Sequence, residues 1–297
     1  MSVPLAYIGI IIIWTTTPLA IKWSGQDVGF LFGISSRMGV GLIVSLILLA
    51  ALRKRIPITR EAIHAYLSIG LPLFGAMSCV YWGAQFIPSG LIAVVFGMTP
   101  LATGALAIFW LGENNFTPPR LIGMVFGLLG LAIIYSNSFA LGPSAHLGIL
   151  AVVGAMFFHS LGIVWTKKVG GNYAPLVANA GGLACAFFLF MCTWIVSDAV
   201  FPTTLPNLAI GSILYLGIVG SVLGAGLFYY ALKRLDTGKI SMLTLITPVT
   251  ALLLGRLLNN ETLDVATMIG VSLVIVRLGI YQWASSLINW ATVQTKR

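Results

Sequence analysis

The sequence predicts an all-α integral membrane protein of ten transmembrane helices, arranged as two inverted five-helix repeats. Three observations predict this fold class: the composition, ten long apolar runs, and a set of residues that recurs at one fixed offset. Hydrophobic residues make up 59% of the 297 residues, and charged residues only 8%. Water-soluble domains do not have this composition, so the sequence is suited to a bilayer.

The ten apolar runs each have about the length that a membrane helix needs. A helix crosses a hydrocarbon core of about 30 Å with roughly 20 apolar residues. The runs are continuous rather than alternating, which favours helices over a β-barrel. In chain order the predicted spans are Pro4 to Lys22, Phe30 to Leu52, Ala65 to Ile87, Ser89 to Leu111, Arg120 to Asn137, His146 to Thr166, Pro175 to Ser197, Leu208 to Leu232, Lys239 to Leu258 and Val265 to Ala284.

The second part of the chain repeats four residues of the first part at one offset, 229 − 81 = 148. Tyr81, Gly90, Pro100 and Glu113 recur as Tyr229, Gly238, Pro248 and Glu261. Because each part holds five spans, an odd number, the two copies must cross the membrane in opposite orientations. We therefore predict one membrane domain over residues 1–297, with a first repeat at 1–137, a second at 146–284 and a cytoplasmic tail at 285–297.

Basic residues predict the orientation in the membrane. Most of the 16 Lys and Arg residues follow even-numbered spans or lie at the C-terminus. Since short cytoplasmic loops are enriched in Lys and Arg, both termini are predicted to be cytoplasmic. The net charge of +9 is then explained by topology and by attraction to anionic lipid, and not by a nucleic-acid partner.

The repeated run resembles a known family. The segment from Tyr81 to Glu113 and its copy from Tyr229 to Glu261 are similar to the paired EamA repeats of the drug/metabolite transporter (DMT) superfamily. Trp14, Lys22 and Arg37 resemble the opening of that family. The resemblance covers essentially the whole chain. It implies two inverted bundles around a central cavity, which export or exchange small metabolites across a bacterial inner membrane.

Two arginines at membrane depth are candidate substrate ligands. An ionisable group inside the bilayer is costly, and so marks a functional site by default. Arg37 in span two and Arg277 in span ten are predicted to bind the anionic end of a solute, with interhelical hydrogen bonding as the alternative for Arg277. Arg256 and Lys22 lie nearer the outer surface and are predicted to be interfacial anchors or partners of nearby acids. Arg256 and Arg277 also depart from the family, which usually has apolar or small residues there.

All seven acidic residues fall in loops or at the ends of spans. An exporter of organic cations needs a deep carboxylate to pair with its cargo, so this sequence disfavours a multidrug-cation role. A basic cavity instead suits an anionic or zwitterionic solute, whose carboxylate an arginine holds in a fork.

His159 and several aromatic residues are the remaining candidates for a binding site. His159 falls opposite Trp14 when the first spans of the two repeats are aligned through Lys22 and Lys167. An unperturbed imidazole pKa of about 6.5 would allow proton coupling, and a neutral histidine hydrogen-bonded between helices is the alternative. The aromatic candidates offer stacking faces, with packing or a lipid-facing belt as their alternative role. They are Trp14, Tyr81, Trp82, Tyr229 and Tyr230.

Pro100 and Pro248 occupy equivalent places in spans four and nine. Proline removes a backbone donor and clashes with the preceding turn, so it bends a helix. We predict that these prolines shape moving, gating spans. The alternative is a tolerated kink whose freed backbone groups are satisfied by Thr99 or Thr247.

The sequence therefore predicts a secondary transporter, an exporter of small zwitterionic or anionic metabolites such as amino acids that works by alternating access. The alternatives are a multidrug or organic-cation exporter of the same fold and, less favoured, an intramembrane enzyme, for which the acids that would hold magnesium are not clustered. We expect a small-molecule substrate, contact with the lipid bilayer, and a monomer or homodimer. We expect no catalytic residue, no metal, no cofactor and no nucleic acid.

Overall fold

A computed structural model describes residues 3–113, 118–170, 173–197, 201–232 and 237–294. Within these ranges, the side chains of residues 118–120, 229, 232, 237–242, 244–245 and 280–294 lie outside the description. The described residues form twelve α-helices, one 3₁₀ turn and one π-helical segment, and no strand.

The helices follow one another with short connections. In chain order they are α1 (Val3–Gly25), α2 (Phe30–Ala51), α3 (Arg60–Gly83), α4 (Ser89–Phe96), α5 (Thr99–Leu111), α6 (Pro118–Ser136), α7 (Ala145–Val169), α8 (Pro175–Val196), α9 (Asn207–Tyr215), α10 (Gly224–Leu232), α11 (Thr237–Asn259) and α12 (Val265–Gln294). The 3₁₀ turn, Ser138–Leu141, lies between α6 and α7. The π-helical segment, Leu216–Leu223, joins α9 to α10.

The described chain is all-helical, as predicted, and seven of its segments are long and apolar enough to cross a membrane, in agreement with a membrane protein. They are Val3–Gly25, Phe30–Ala51, Arg60–Gly83, Ser89–Leu111, Ala145–Val169, Pro175–Val196 and Asn207–Phe228. Shorter apolar stretches lie in α6, α11 and α12. The helix α12 runs to Gln294, past the predicted end of the tenth span and into the predicted tail.

The start of α3 shows where an apolar scan misses a helix boundary. This helix begins at Arg60 rather than at the predicted Ala65. Thr59 caps it, because its side-chain oxygen accepts a hydrogen bond from the Ala62 amide at 3.2 Å. The first turn is polar, with Glu61 in the position that favours a negative charge. Capping chemistry, and not hydrophobicity, therefore sets this end.

Helices from the two parts of the chain interleave. The helix α3 packs against α7 and α8, α2 packs against α8, and α5 packs against α7. In addition, α4 packs against α11, α6 against α12, and α1 against α9, α10 and α11. The buried apolar side chains between these pairs include Leu91, Ile134, Ile149 and Phe190. Residues from the two predicted repeats therefore meet throughout the core.

The antiparallel pair α3 and α7 defines two ends of the molecule. At one end, the hydroxyl oxygens of Ser68 and Thr166 lie 3.3 Å apart. At the other end, a Cβ atom built on Gly83 would lie 2.8 Å from the carbonyl oxygen of Gly148. At 1.5 Å per residue, Ser68 and Gly83 are separated by about 22 Å along α3. We refer to these as the Ser68 end and the Gly83 end.

Candidate functional site

Arg37 is buried in α2, with 6% of its surface exposed. Its Nη1 donates to the Met77 sulfur at 3.7 Å, and its Nε has no hydrogen-bond partner among the residues that the structure describes. The ion pairs among the described side chains join Lys22 to Glu261 and Lys167 to Glu113, and neither includes Arg37. A buried guanidinium with an unused N–H can accept an anion.

The π-helical segment Leu216–Leu223 lies against Arg37. The hydroxyl of Ser221 donates to the Leu216 carbonyl at 3.0 Å, and the side-chain amide of Asn179 donates to the Ser221 carbonyl at 3.1 Å. A Cβ atom built on Gly220 would lie 3.7 Å from Nη2 of Arg37. Because π-helical turns occur frequently at functional sites, this irregular segment strengthens the case for a site at Arg37.

One face of α7 changes from packed to open along the helix. Val152, Met156, His159 and Ile163 share this face, since they are spaced by three, four or seven residues. Val152 and Met156 are buried, whereas His159 and Ile163 are exposed. The imidazole ring of His159 lies 5.8 Å from the Phe96 ring, so this face points toward α4 and the interior. The interior is therefore accessible near the Ser68 end.

The corresponding face of α1 is closed. Trp14 is half-buried and its ring lies 5.2 Å from the ring of Phe228 on α10. Pro18, one turn further, is buried. Among the described side chains, no hydrogen bond or ring contact joins Trp14 to Arg37 or to His159.

Pro100 marks a break between α4 and α5. Proline offers no amide hydrogen to the Phe96 carbonyl, and the Thr99 hydroxyl donates to that carbonyl instead, at 2.6 Å. The Leu101 amide bonds to the carbonyl three residues before it, at 3.0 Å, and so leaves the Gly97 carbonyl free of the helix ladder. The Thr99 hydroxyl thus replaces the lost backbone donor. This replacement belongs to the alternative role described for Pro100 above, a tolerated kink rather than a gate.

Arg277 takes the second freed carbonyl. It is buried on α12, and its Nη1 donates to the Gly97 carbonyl at 2.7 Å. Two glycines of α6 make room for its side chain: Cβ atoms built on Gly123 and Gly127 would lie 3.4 Å and 2.8 Å from carbons of Arg277. The predicted solute ligand Arg277 therefore makes an interhelical hydrogen bond to the backbone.

Pro248 lies inside an unbroken helix, α11. The hydroxyl of Thr247 donates to the Leu243 carbonyl at 2.6 Å. A Cβ atom built on Gly97 would lie 3.6 Å from Cγ of Pro248, so the break in span four packs against Pro248. The structure therefore places Pro248 against the break that precedes Pro100, and of the two helices that carry these prolines only span four is broken.

Lys22 and Glu261 belong to a polar network at the Gly83 end, in which 29% of the lysine side chain is exposed. The Lys22 ammonium is 3.5 Å from Oε1 of Glu261 and donates to the Ile87 carbonyl at 3.0 Å. The Ser89 amide and hydroxyl both donate to Oε2 of Glu261 at 2.9 Å, and Asn259 donates to Oε1 at 2.8 Å. Only 8% of the Glu261 side chain is exposed. This carboxylate therefore caps the N-terminus of α4 from across the molecule.

Lys167 and Glu113 form a second pair at the Ser68 end. The ammonium of Lys167 lies 2.5 Å from Oε1 of Glu113. The side chains are 61% and 36% exposed, respectively. This pair lies at the surface, beside the accessible part of α7.

The aromatic candidates have different surroundings. Tyr81 is buried, and its hydroxyl accepts a hydrogen bond from the Ser24 hydroxyl at 3.2 Å. Trp82 is exposed and Tyr230 is half-buried. The side chain of Tyr229 lies outside the described residues. Tyr81 thus packs in the core near the Gly83 end and does not face the accessible part of α7.

Two hydroxyl contacts of α1 were not predicted from the sequence. The Thr16 hydroxyl lies 2.5 Å from the Tyr215 hydroxyl, and the Thr15 hydroxyl lies 2.7 Å from that of Thr250. Consecutive threonines after Trp14, inside an otherwise apolar span, were the available signal. These contacts tie α1 to α9 and α11.

The fold and the buried arginines define a helical membrane protein with charged groups in its interior, which is the class to which transporters belong. The model of the EamA-like transporter family matches residues 1–136 and again residues 146–281. The chain therefore belongs to the EamA-like transporter family, of the DMT type, and the resemblance drawn from the repeated segments is confirmed.

Individual relatives agree with this assignment. An uncharacterized transporter, YoaV of Bacillus subtilis, is 25% identical over 92% of this chain and 94% of its own length. A probable amino-acid metabolite efflux pump of Salmonella typhimurium is 24% identical over 77% of both chains. One crystal structure of a protein has a TM-score of 0.66 and 20% identity, covering 97% of this chain and 98% of that chain, which shows the fold alone. The family and these names point to a transporter rather than an enzyme.

Proposed function

We propose that this protein is a secondary transporter of small anionic or zwitterionic metabolites such as amino acids, and that it works as an exporter by alternating access. Ten spans would form two inverted five-helix halves within one domain of a bacterial inner membrane, with both termini cytoplasmic. Membership of the EamA-like family supports transport, and the name of the Salmonella relative supports amino acids.

The proposed substrate class is inferred from the surroundings of Arg37. A buried cation is costly unless an anion pairs with it. Within the described part of the chain, the Nε of Arg37 has no hydrogen-bond partner and no carboxylate lies within ion-pairing distance of its guanidinium. A carboxylate accepts two parallel N–H bonds from a guanidinium. In the proposal, the carboxylate of the solute supplies the missing anion.

The solute would reach this site along the open face of α7. His159 and Ile163 are exposed on that face, and His159 lies beside Phe96. Protonation of the imidazole there would couple transport to a proton gradient. Trp14, Trp82, Tyr229 and Tyr230 are proposed to stack on the body of the solute, and the protein is proposed to act as a monomer or homodimer.

Transport by purified protein in liposomes tests the proposal. Arg37→Gln should lower amino-acid transport by about tenfold or more, because it removes a charge-assisted fork worth at least one factor of ten. The matched control is Arg256→Gln, since Arg256 is exposed on α11 and its loss should leave the rate within about twofold.

Two outcomes would contradict the proposal. Normal transport by the Arg37→Gln protein would refute the role of Arg37 as the anion ligand. Transport of organic cations in preference to amino acids by the unmodified protein would favour the multidrug alternative.

A further inference from the structure

We infer that Arg277 is a positioning residue: it holds the break between α4 and α5 in shape by binding the Gly97 carbonyl, and through that break it sets the surroundings of His159. This inference uses the proposed function for its transport measurement. It assigns Arg277 a task different from that of Arg37, which is proposed to bind the solute.

The break leaves two backbone carbonyls without their usual helical donors. One belongs to Phe96, because Pro100 has no amide hydrogen, and the hydroxyl of Thr99 replaces it at 2.6 Å. The other belongs to Gly97, because the Leu101 amide bonds elsewhere. An unsatisfied carbonyl in a membrane interior is strongly unfavourable, so each needs a new donor.

The chain supplies the donor for Gly97 from α12. Nη1 of Arg277 lies 2.7 Å from the Gly97 carbonyl oxygen and 3.5 Å from the Met98 sulfur. The guanidinium reaches this point across α6, where a Cβ atom on Gly127 would lie 2.8 Å from Cδ of Arg277. Gly127 therefore leaves space for the Arg277 side chain, and the guanidinium at its end supplies the hydrogen-bond donor for the Gly97 carbonyl.

The break connects Arg277 to the proposed transport path. Phe96 is the last residue of α4, and its ring lies 5.8 Å from the ring of His159. On the other side, Gly97 packs on Pro248 of α11. The hydroxyl of Ser160, next to His159, donates to the Thr99 carbonyl at 3.4 Å. A change in the angle between α4 and α5 would therefore move groups on α7 and α11 together.

A double-mutant cycle on transport tests this inference. The variants are Arg277→Met, Pro100→Ala and their combination, with Arg277→Lys as the conservative replacement. Arg277→Met should lower the maximal rate by about tenfold, the size expected for one uncapped buried carbonyl, while the KM for the solute stays within about twofold. Arg277→Lys should recover part of the rate because it keeps a cationic donor.

The combination with Pro100→Ala gives the decisive result. Alanine at position 100 restores an amide to the helix ladder, so the straightened span should need the guanidinium less. In this background, Arg277→Met should cost about threefold or less rather than tenfold. The matched control is Pro248→Ala, whose helix is already continuous, and there Arg277→Met should keep its full effect.

Equal effects of Arg277→Met in the unmodified, Pro100→Ala and Pro248→Ala proteins would overturn the inference. A rise in KM with an unchanged maximal rate would also overturn it, because that result would mark Arg277 as a solute ligand. If Arg277→Met protein is not recovered from membranes, the same cycle is measured by yield and thermal midpoint, and rescue by Pro100→Ala alone remains the expected result. Failure of this cycle with transport still lost in Arg37→Gln would refute the inference only. Normal transport by Arg37→Gln would refute the proposed function only.

Discussion

The two lysine–glutamate pairs occupy corresponding places in the two matched parts of the chain, yet their surroundings differ. Each pair joins a lysine in the last turns of α1 or α7 to a glutamate after α11 or α5, and the glutamates are 148 residues apart, 261 − 113. In the Lys22–Glu261 pair, 29% of the lysine side chain and 8% of the glutamate side chain are exposed, and the carboxylate accepts further bonds from Ser89 and Asn259. The Lys167–Glu113 pair is exposed. A lysine–glutamate pair is therefore packed into the protein at the closed Gly83 end, whereas the corresponding pair lies at the surface at the open Ser68 end.

Neighbouring residues show the same difference. Position 107, equivalent to 255 at the same offset, is Ala107, whereas Gly255 lies directly against the Glu261 carboxylate and leaves room for it. The α1 face around Trp14 is packed, whereas the α7 face around His159 is accessible. The asymmetry therefore extends from the ion pairs to the packing of the helices that carry them.

Neutralising each glutamate should give the largest contrast. We expect Glu261→Gln to lower the free energy of unfolding by about 3 kcal/mol, because it leaves a lysine and several donors around a lost buried charge. Glu113→Gln, the matched control, should cost about 0.5 kcal/mol, as is usual for an exposed pair. Denaturant unfolding in one detergent measures both, and equal losses would contradict the distinction between a closed end and an open end.

Filling the space beside the buried carboxylate should have the next largest effect. Gly255→Ala should cost about 2 kcal/mol, because the new methyl group would overlap Oε2 of Glu261. The reciprocal change, Ala107→Gly, should cost about 1 kcal/mol in helix propensity and up to about 0.8 kcal/mol for the buried methyl group that it removes. Thermal unfolding compares the two, and a smaller loss for Gly255→Ala than for Ala107→Gly would show that the site is not tightly packed.

Thiol labelling tests which helix face is open to water. In a background with Cys79, Cys185 and Cys192 replaced by Ser, Ile163→Cys should react with a charged methanethiosulfonate about tenfold faster than Pro18→Cys, since only exposed cysteines form thiolate readily.

A third cysteine separates water from lipid in that experiment. Leu150→Cys lies on the opposite, exposed face of α7, which contacts lipid in the proposed arrangement, and should label slowly. Equal rates at positions 18 and 163 would contradict the open face.

The smallest effect is expected at Asp264, three residues after Glu261 in the chain. A hydrogen bond from the Thr267 side chain, aided by backbone amides at the start of α12, lowers the pKa of this carboxyl below its ordinary value. The ionised Asp264 carboxylate therefore stabilises the folded protein above that ordinary pKa, about 3.9. This contribution to the free energy of unfolding is lost as the pH falls through the lower pKa of the folded protein.

Asp264→Asn keeps a capping oxygen but removes the charge, so it should cost about 0.5 kcal/mol at neutral pH, as for a charge at a helix N-terminus, and less in acid. Thermal midpoints between pH 7 and pH 3 measure this. A cost that does not shrink in acid would show that the charge of Asp264 is not what stabilises α12.

Hydropathy predicted the all-helical class and most helix positions, and the resemblance of the repeated segments to EamA repeats predicted the family. They did not predict how span four breaks at Pro100 while α11 passes through Pro248 unbroken. The difference depends on donors supplied from distant helices, Arg277 for Gly97 among them, and such contacts follow from tertiary packing rather than from local sequence.

The site was partly predictable for a similar reason. Depth along a span identified Arg37 and Arg277 as unusual, because cations are rare inside membranes. Depth alone does not separate a guanidinium with an unused N–H from one bonded to a backbone carbonyl. Tyr81 shows the same limit, since its place in the repeat gave no sign that it is buried against Ser24.

The groove that Gly123 and Gly127 provide for Arg277 also has a consequence for how this chain can change over generations. A methyl group at Gly127 would meet Cδ of Arg277, whereas a short residue at position 277 would leave a void beside that glycine and an unpaired Gly97 carbonyl. A substitution at position 127 or at position 277 alone should therefore be selected against. Across relatives, an arginine at the position of Arg277 and a glycine at that of Gly127 should be gained and lost together.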